Sequence, residues 1–181
     1  MFAENNVTTT KTISDWPVTV DRAKRHCHVD NTDRQEDDYI RDIIKAVTEE
    51  AEGVISKDIA YKTCTSNFYD FSSDYVYIEE GNFNSTTSVV SDASVAQTVI
   101  ETFPYYNYCR LKLSTSVTSD PLEVKFTTGW TQENTPAAIK QAILLRIKDY
   151  YDIHRGSEND YQVYNTKAFE RLLGPYKNTK A

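Results

Sequence analysis

A chain of 181 residues carrying 20 basic and 27 acidic side chains, net −7, fits one domain with a core of its own and lacks the clustered cations of a sequence-independent nucleic-acid binder. Cys27, Cys64 and Cys109 are far apart and form no CxxC, so neither a zinc knuckle nor a disulfide framework is indicated, and all three read as small buried residues in a reducing setting. The amino-terminal MFAENNVTTTK has no apolar run, and no window reaches the roughly 18 apolar residues of a membrane helix, so the expectation is a soluble chain that is not exported.

Residues 1–14 are polar and rich in Thr and Asn, without periodicity, and are predicted to be a flexible arm. A short helix follows over Val20–His28, capped by Thr19 or Asp21, with Val20, Ala23 and Cys27 on one side. A longer acidic helix is expected over Asp33–Gly53: Thr32 and Gln35 have capping-box spacing, Tyr39, Ile40, Ile43, Ile44, Val47 and Ala51 form its apolar stripe, and Gly53 is its stop. Residues 18–55 are thus helical. From 56 to 130 the period becomes alternating, predicting an inserted antiparallel sheet with strands at Ile59–Cys64, Asn67–Phe71, Tyr75–Glu79, Thr98–Phe103, Cys109–Leu113 and Leu122–Thr128. The Ser/Thr stretch Asn82–Ser94 and the segment Thr115–Pro121 read as turns or hairpin tips.

The clearest element is Thr135–His154, TPAAIKQAILLRIKDYYDIH, with Thr135 as cap and Pro136 at the first helical position. Ile139, Ile143, Ile147 and Tyr151, widened by Ala142, Leu145 and Tyr150, oppose Lys140, Arg146, Lys148 and Asp152. A last helix capped by Thr166 offers Ala168, Phe169, Leu172 and Leu173 before Gly174 and Pro175, so 135–175 is helical and 176–181 forms a short basic tail. The whole is an α+β fold in one domain: a small helical bundle of two N-terminal helices, the long helix 135–154 and a short C-terminal helix, with a β-sheet inserted.

Chemistry-bearing clusters have structural readings beside functional ones. His26, Cys27, His28 and Asp30 include zinc-ligand types, but a helix turns residues 26 and 28 about 200° apart, which favours a buried Cys27 flanked by surface histidines. Glu36, Asp37 and Asp38 could hold magnesium for phosphoryl chemistry, yet in the first turn of a helix they serve its positive end. No GxSxG, HExxH, P-loop or GxGxxG occurs, so no enzyme, metal or cofactor is predicted. Tyr105, Tyr106 and Tyr108 cluster around Pro104, and Tyr150, Tyr151, Tyr161, Tyr164 and Tyr176 crowd the C-terminal third, either completing the core or meeting another subunit. Charge is segregated: residues 33–52 hold eight acids and three bases, net −5, and residues 166–181 four bases and one acid, net +3.

Three stretches, VTVDRAKRHCHVDNTDRQEDDYIRDIIKAVTEEAEGVI at 18–55, VKFTTGWTQENTPAAIKQAILLRIKDYYDIHRG at 124–156 and AFERLLGPYK at 168–177, together resemble the head–tail connector (adaptor) proteins of tailed bacteriophages, also described as phage DNA-packaging proteins. Residues 56–123 depart from that pattern. The resemblance implies a structural virion protein, made in the host bacterial cytoplasm and placed in the neck at the portal vertex, with no catalytic residues. Copies would form a twelvefold ring below the portal protein, extend a channel through which DNA passes without specific binding, and receive the next neck or tail-completion protein. The expected portal contact comprises Phe169, Leu172, Leu173, Tyr176, Lys177 and Lys180, and the expected channel lining Glu36, Asp37 and Asp42. Two alternatives are a metal-dependent nucleic-acid-modifying enzyme using Asp37 and Asp38, and another neck or tail-completion protein.

Overall fold

The helical periodicity at both ends of the chain and the alternation between them appear as separate structures in the computed structural model, which describes residues 7–32, 34–92, 94–105, 108–154 and 164–177. The chain groups into two compact units: residues 16–59 with 130–181, and residues 1–15 with 60–129. Four α-helices and two antiparallel sheets are present among the described residues, an α+β fold.

The helical unit contains α1 (Val20–His26), α2 (Asp37–Ile55), α3 (Ala137–His154) and α4 (Tyr164–Leu173). Thr19 caps α1, its hydroxyl accepting from the Arg22 amide at 3.2 Å. The capping box expected at Thr32 is absent, because Thr32 donates both its amide and its hydroxyl to the Asp30 carboxylate, each at 2.8 Å. That closes a turn, and α2 starts four residues later than predicted. Gly53 does not stop it: α2 runs to Ile55 and ends where Ser56 turns left-handed (φ 54°). The Thr135 hydroxyl is likewise turned away from α3, donating to the Thr131 carbonyl at 2.8 Å. The predicted stripe of α3 is buried through Ile139, Ala142, Ile143, Ile147 and Tyr151, but Leu144 is buried more deeply than Leu145, Asp149 is buried, and Tyr150 is exposed. These residues pack with Ile40, Ile44, Val47 and Ala51 of α2 and with Phe169 and Leu173 of α4.

The β-unit has two sheets where one was expected. The first is ordered β1 (Val7–Asp15), β2 (Tyr61–Phe68), β7 (Leu122–Thr128), β4 (Phe83–Val90); the second is β3 (Phe71–Ile78), β6 (Cys109–Ser119), β5 (Val99–Pro104). The chain changes sheets between β2 and β3 at Tyr69–Asp70 and between β6 and β7 at Asp120–Pro121. Inward residues of both sheets, including Cys64, Phe71, Val76, Leu111, Leu113, Val124 and Phe126, share one core.

Three expectations fail here for one reason: Thr and Ser suit strands when a partner satisfies the backbone, without any apolar alternation. Residues 7–14 of the expected arm belong to β1, paired along β2 from Val7↔Phe68 to Asp15↔Tyr61, with Thr9 and Ser66 hydroxyls 2.7 Å apart. Residues 1–6 lie outside the described residues. The expected hairpin tip Asn82–Ser94 is mostly β4, its left-handed Asn82 and Ser94 marking only the ends. Thr115–Ser119, expected as loop, prolongs β6. The strand predicted over Asn67–Phe71 is broken at Asp70 (φ 53°).

Candidate interaction surfaces

The acidic start of α2 is an ion-pair anchor. Lys24 lies at i+4 from Val20 and one residue after Ala23, on the buried side of α1, and its side chain is fully buried. Its ammonium pairs with Asp37, which Arg34 also approaches at 3.2 Å. The Lys24 hydrogen bond, assisted by Arg34, holds the Asp37 carboxyl below the usual carboxylate range. Asp38 pairs with Arg41. Asp37 is therefore not an open charge for a channel lining or a magnesium ion, whereas Asp42 is exposed and Glu36 half-buried at the helix cap. Placing Lys24 on the apolar stripe of Val20, Ala23 and Cys27 was the sequence signal for this pair. Beside it, burial pushes the Cys27 thiol up to about 11, and burial followed by nearby Lys148 lowers the His26 pKa.

The residues expected to meet a portal are divided by the fold. Phe169 and Leu173 are inside the helical core, 2% and 0% exposed, and offer nothing to a partner surface. Their spacing was an amphipathic stripe, which a short helix fills against its own bundle before any other. Gly174 and Pro175 do not release the chain: Gly174–Tyr176 forms a 3-10 turn, and the half-buried Tyr176 ring meets Trp130 edge-on at 6.4 Å. Leu172 is half-buried and Lys177 exposed; Lys180 lies outside the described residues. Next to α4, Arg146 of α3 binds Glu50 of α2 through two hydrogen bonds of 3.1 and 2.8 Å, and Tyr150 donates to the same carboxylate at 3.3 Å. The Glu50 hydrogen bonds raise the Arg146 pKa.

The tyrosines separate likewise. Tyr151 is buried and faces Tyr39 at 6.3 Å, so it completes the core. Tyr105 and Tyr108 stack at 4.5 Å, with Tyr77 6.2 Å from Tyr108. They belong to the outer face of the three-stranded sheet, where sequence reading named the Tyr105 and Tyr108 cluster but not the cations beside it. The register sets Tyr77 and Phe103 on either side of Arg110, and Tyr75 and Glu101 on either side of Lys112. The Arg110 guanidinium lies 4.5 Å from the Phe103 ring, 5.1 Å from Tyr75 and 5.9 Å from Tyr105. Alternation in these strands fixes which residues face outward, but only pairing brings three of them onto one arginine. Tyr106 and Tyr161 lie outside the described residues, as does the side chain of Tyr164.

Among the described residues no group of His, Cys, Asp and Glu has the arrangement to hold a metal, and no helix is long and apolar enough to cross a membrane. No protein-family model and no curated protein matches the chain. Solved structures do match it over nearly its whole length. A chain in the neck of an empty gene transfer agent particle, computed with C6 symmetry, matches with a TM-score of 0.66 at 16% identity, covering 96% of this chain and 97% of that one. A chain in the virion of the native particle gives 0.66 at 14% identity, and one in the native neck computed with C12 symmetry 0.65 at 15%, both with the same coverage. The chain thus has, over 96% of its length, an α+β fold found in the necks of gene transfer agent particles.

Proposed function

We propose that this chain is a structural component of a phage-like virion neck, a head–tail connector of which twelve copies close into a ring below the portal protein. The observation that carries this reading is the two-way coverage of 96% and 97% against a neck chain: helical unit and β-unit are both accounted for, with little added or missing on either side. The neighbours' necks were computed with C6 and C12 symmetry, and twelve copies are compatible with both. In such a ring the chain extends the DNA channel and receives the next neck or tail-completion protein. Its net charge of −7 suits a passage that duplex DNA, with about one negative charge per 1.7 Å, crosses without adhering. Glu36 and Asp42 are the acidic-helix residues assigned to the lining. Lys177, Lys180 and the half-exposed sides of Leu172 and Tyr176 are assigned to the portal, rim charges steering and the aromatic ring holding.

Cryo-electron microscopy of particles assembled with a tagged copy tests the assignment. A twelvefold ring between portal and tail is expected, and the purified chain should co-sediment with portal rings. A tag absent from particles, or found away from the neck, overturns the proposal; binding to tail tubes and not portals would replace the connector by a tail-completion protein.

A further inference from the structure

We propose that the cation–aromatic face of β3, β5 and β6 is the surface on which a second copy of this chain docks head to tail, offering Asp70 and Asp120 to Arg110 and Lys112. This rests on the ring reading above and names the contact that joins neighbours.

Arg110 forms no ion pair among the described residues and is stacked among aromatic rings. Three rings surround its guanidinium and hold it on the outer face of the sheet. Glu101 stands across from Lys112 in the sheet register, yet no ion pair joins them among the described residues, and the Lys112 ammonium lies 6.0 Å from the Tyr75 ring. A stacked guanidinium keeps its edge donors for a carboxylate, and Tyr and Arg dominate the energetic centres of protein interfaces.

The complementary charge is at the opposite end of the same two strands. Asp70 immediately precedes β3 and Asp120 immediately follows β6. Along β3, seven residues separate Asp70 from Tyr77, which stands opposite Arg110, roughly 23 Å at about 3.3 Å per residue, while β6 spends its extra residues on a bulge between Lys112 and Val117. With Asp92, whose carboxylate accepts from Ser119 Oγ at 3.3 Å, these aspartates line a cleft of about 310 Å³ that has no basic residue in its wall. One end of the sheet thus presents two cations and the Glu101 carboxylate among aromatic rings, and the other presents a cleft walled by carboxylates without a cation. Such a pair of patches repels itself across a two-fold axis and attracts its complement head to tail, the arrangement that closes rings.

Neighbours held on a template experience an effective concentration of about 1 mM, so the contact should be measurable in the free chain up to that concentration. Sedimentation velocity of the full chain should show association that rises with concentration and falls with salt. Lys112→Glu, with an unchanged melting temperature, should weaken it at least about tenfold. Adding Asp120→Lys to that variant should restore it, and Arg110→Ala should abolish it.

A wild-type chain monomeric throughout this range overturns the inference. So does undiminished association of Lys112→Glu, loss only on reversing Asp42 and Glu49 of α2, or duplex DNA occupying the face instead. Particles whose necks incorporate Lys112→Glu at full occupancy would refute this contact while leaving the neck assignment intact. Necks lacking the wild-type chain would refute that assignment and not the contact between copies.

Discussion

Replacing Phe169 by alanine separates two roles that its sequence position allows, an anchor for another protein or a part of the chain's own core. The ring is 2% exposed, clustered with Leu173, Tyr151 and the α2 stripe, and lies 5.7 Å from the Arg146 guanidinium. Truncating a buried phenylalanine costs about 3–5 kcal/mol, and the cation–π contact adds about 0.5 kcal/mol. Against a typical stability of about 5–15 kcal/mol this is a large fraction. At about 2–4 °C per kcal/mol the transition should fall by about 7–22 °C. Lys177→Ala, at an exposed position, should change stability by less than about 0.5 kcal/mol. Removing residues 174–181 should cost about 0.5–1.5 kcal/mol through the lost Tyr176–Trp130 contact. Guanidinium unfolding followed by circular dichroism at a helix wavelength measures all three. A Phe169→Ala variant within about 1 kcal/mol of wild type, yet unable to bind portal, would refute the core placement and return Phe169 to the partner surface.

The Lys24–Asp37 pair makes stability depend on acid. Because the folded-state pKa of Asp37 is depressed, its contribution is fully present above the unfolded carboxylate value of about 3.9 and is lost as pH falls through the folded value. Stability measured from neutral to acid pH should therefore converge between wild type and Asp37→Asn below that range; parallel curves would show that the pair does not titrate. Buried Cys27, Cys64 and Cys109, the first and last with thiols raised to about 11, should resist a thiol reagent at pH 8 until the chain is unfolded, and rapid native-state labelling of all three would contradict their burial. Amide exchange should reveal slow protons in β1 where its backbone pairs with β2; uniform fast exchange over residues 7–15 would restore the flexible arm.

Where a segment's neighbours in space are also its neighbours in sequence, or where one face is apolar, the residues alone determined the outcome. The stripe of α3, with isoleucines four apart, and the alternation of β7, whose bounds Leu122–Thr128 match the prediction, are of this kind. Both patterns are local and have one buried face. Tertiary structure decided what depends on a distant partner. The Thr-rich residues of β1 become a strand only because β2, some fifty positions away, supplies hydrogen bonds. Lys24 is buried only because Asp37 on the next helix neutralises it. Arg110 gathers rings from β3 and from the end of β5 only through pairing across β6. Phe169 and Leu173 have the same spacing whether they face a partner or their own bundle. A one-dimensional pattern states that a face must be covered, and only the packed chain decides by what, since the covering residues come from elsewhere in the sequence.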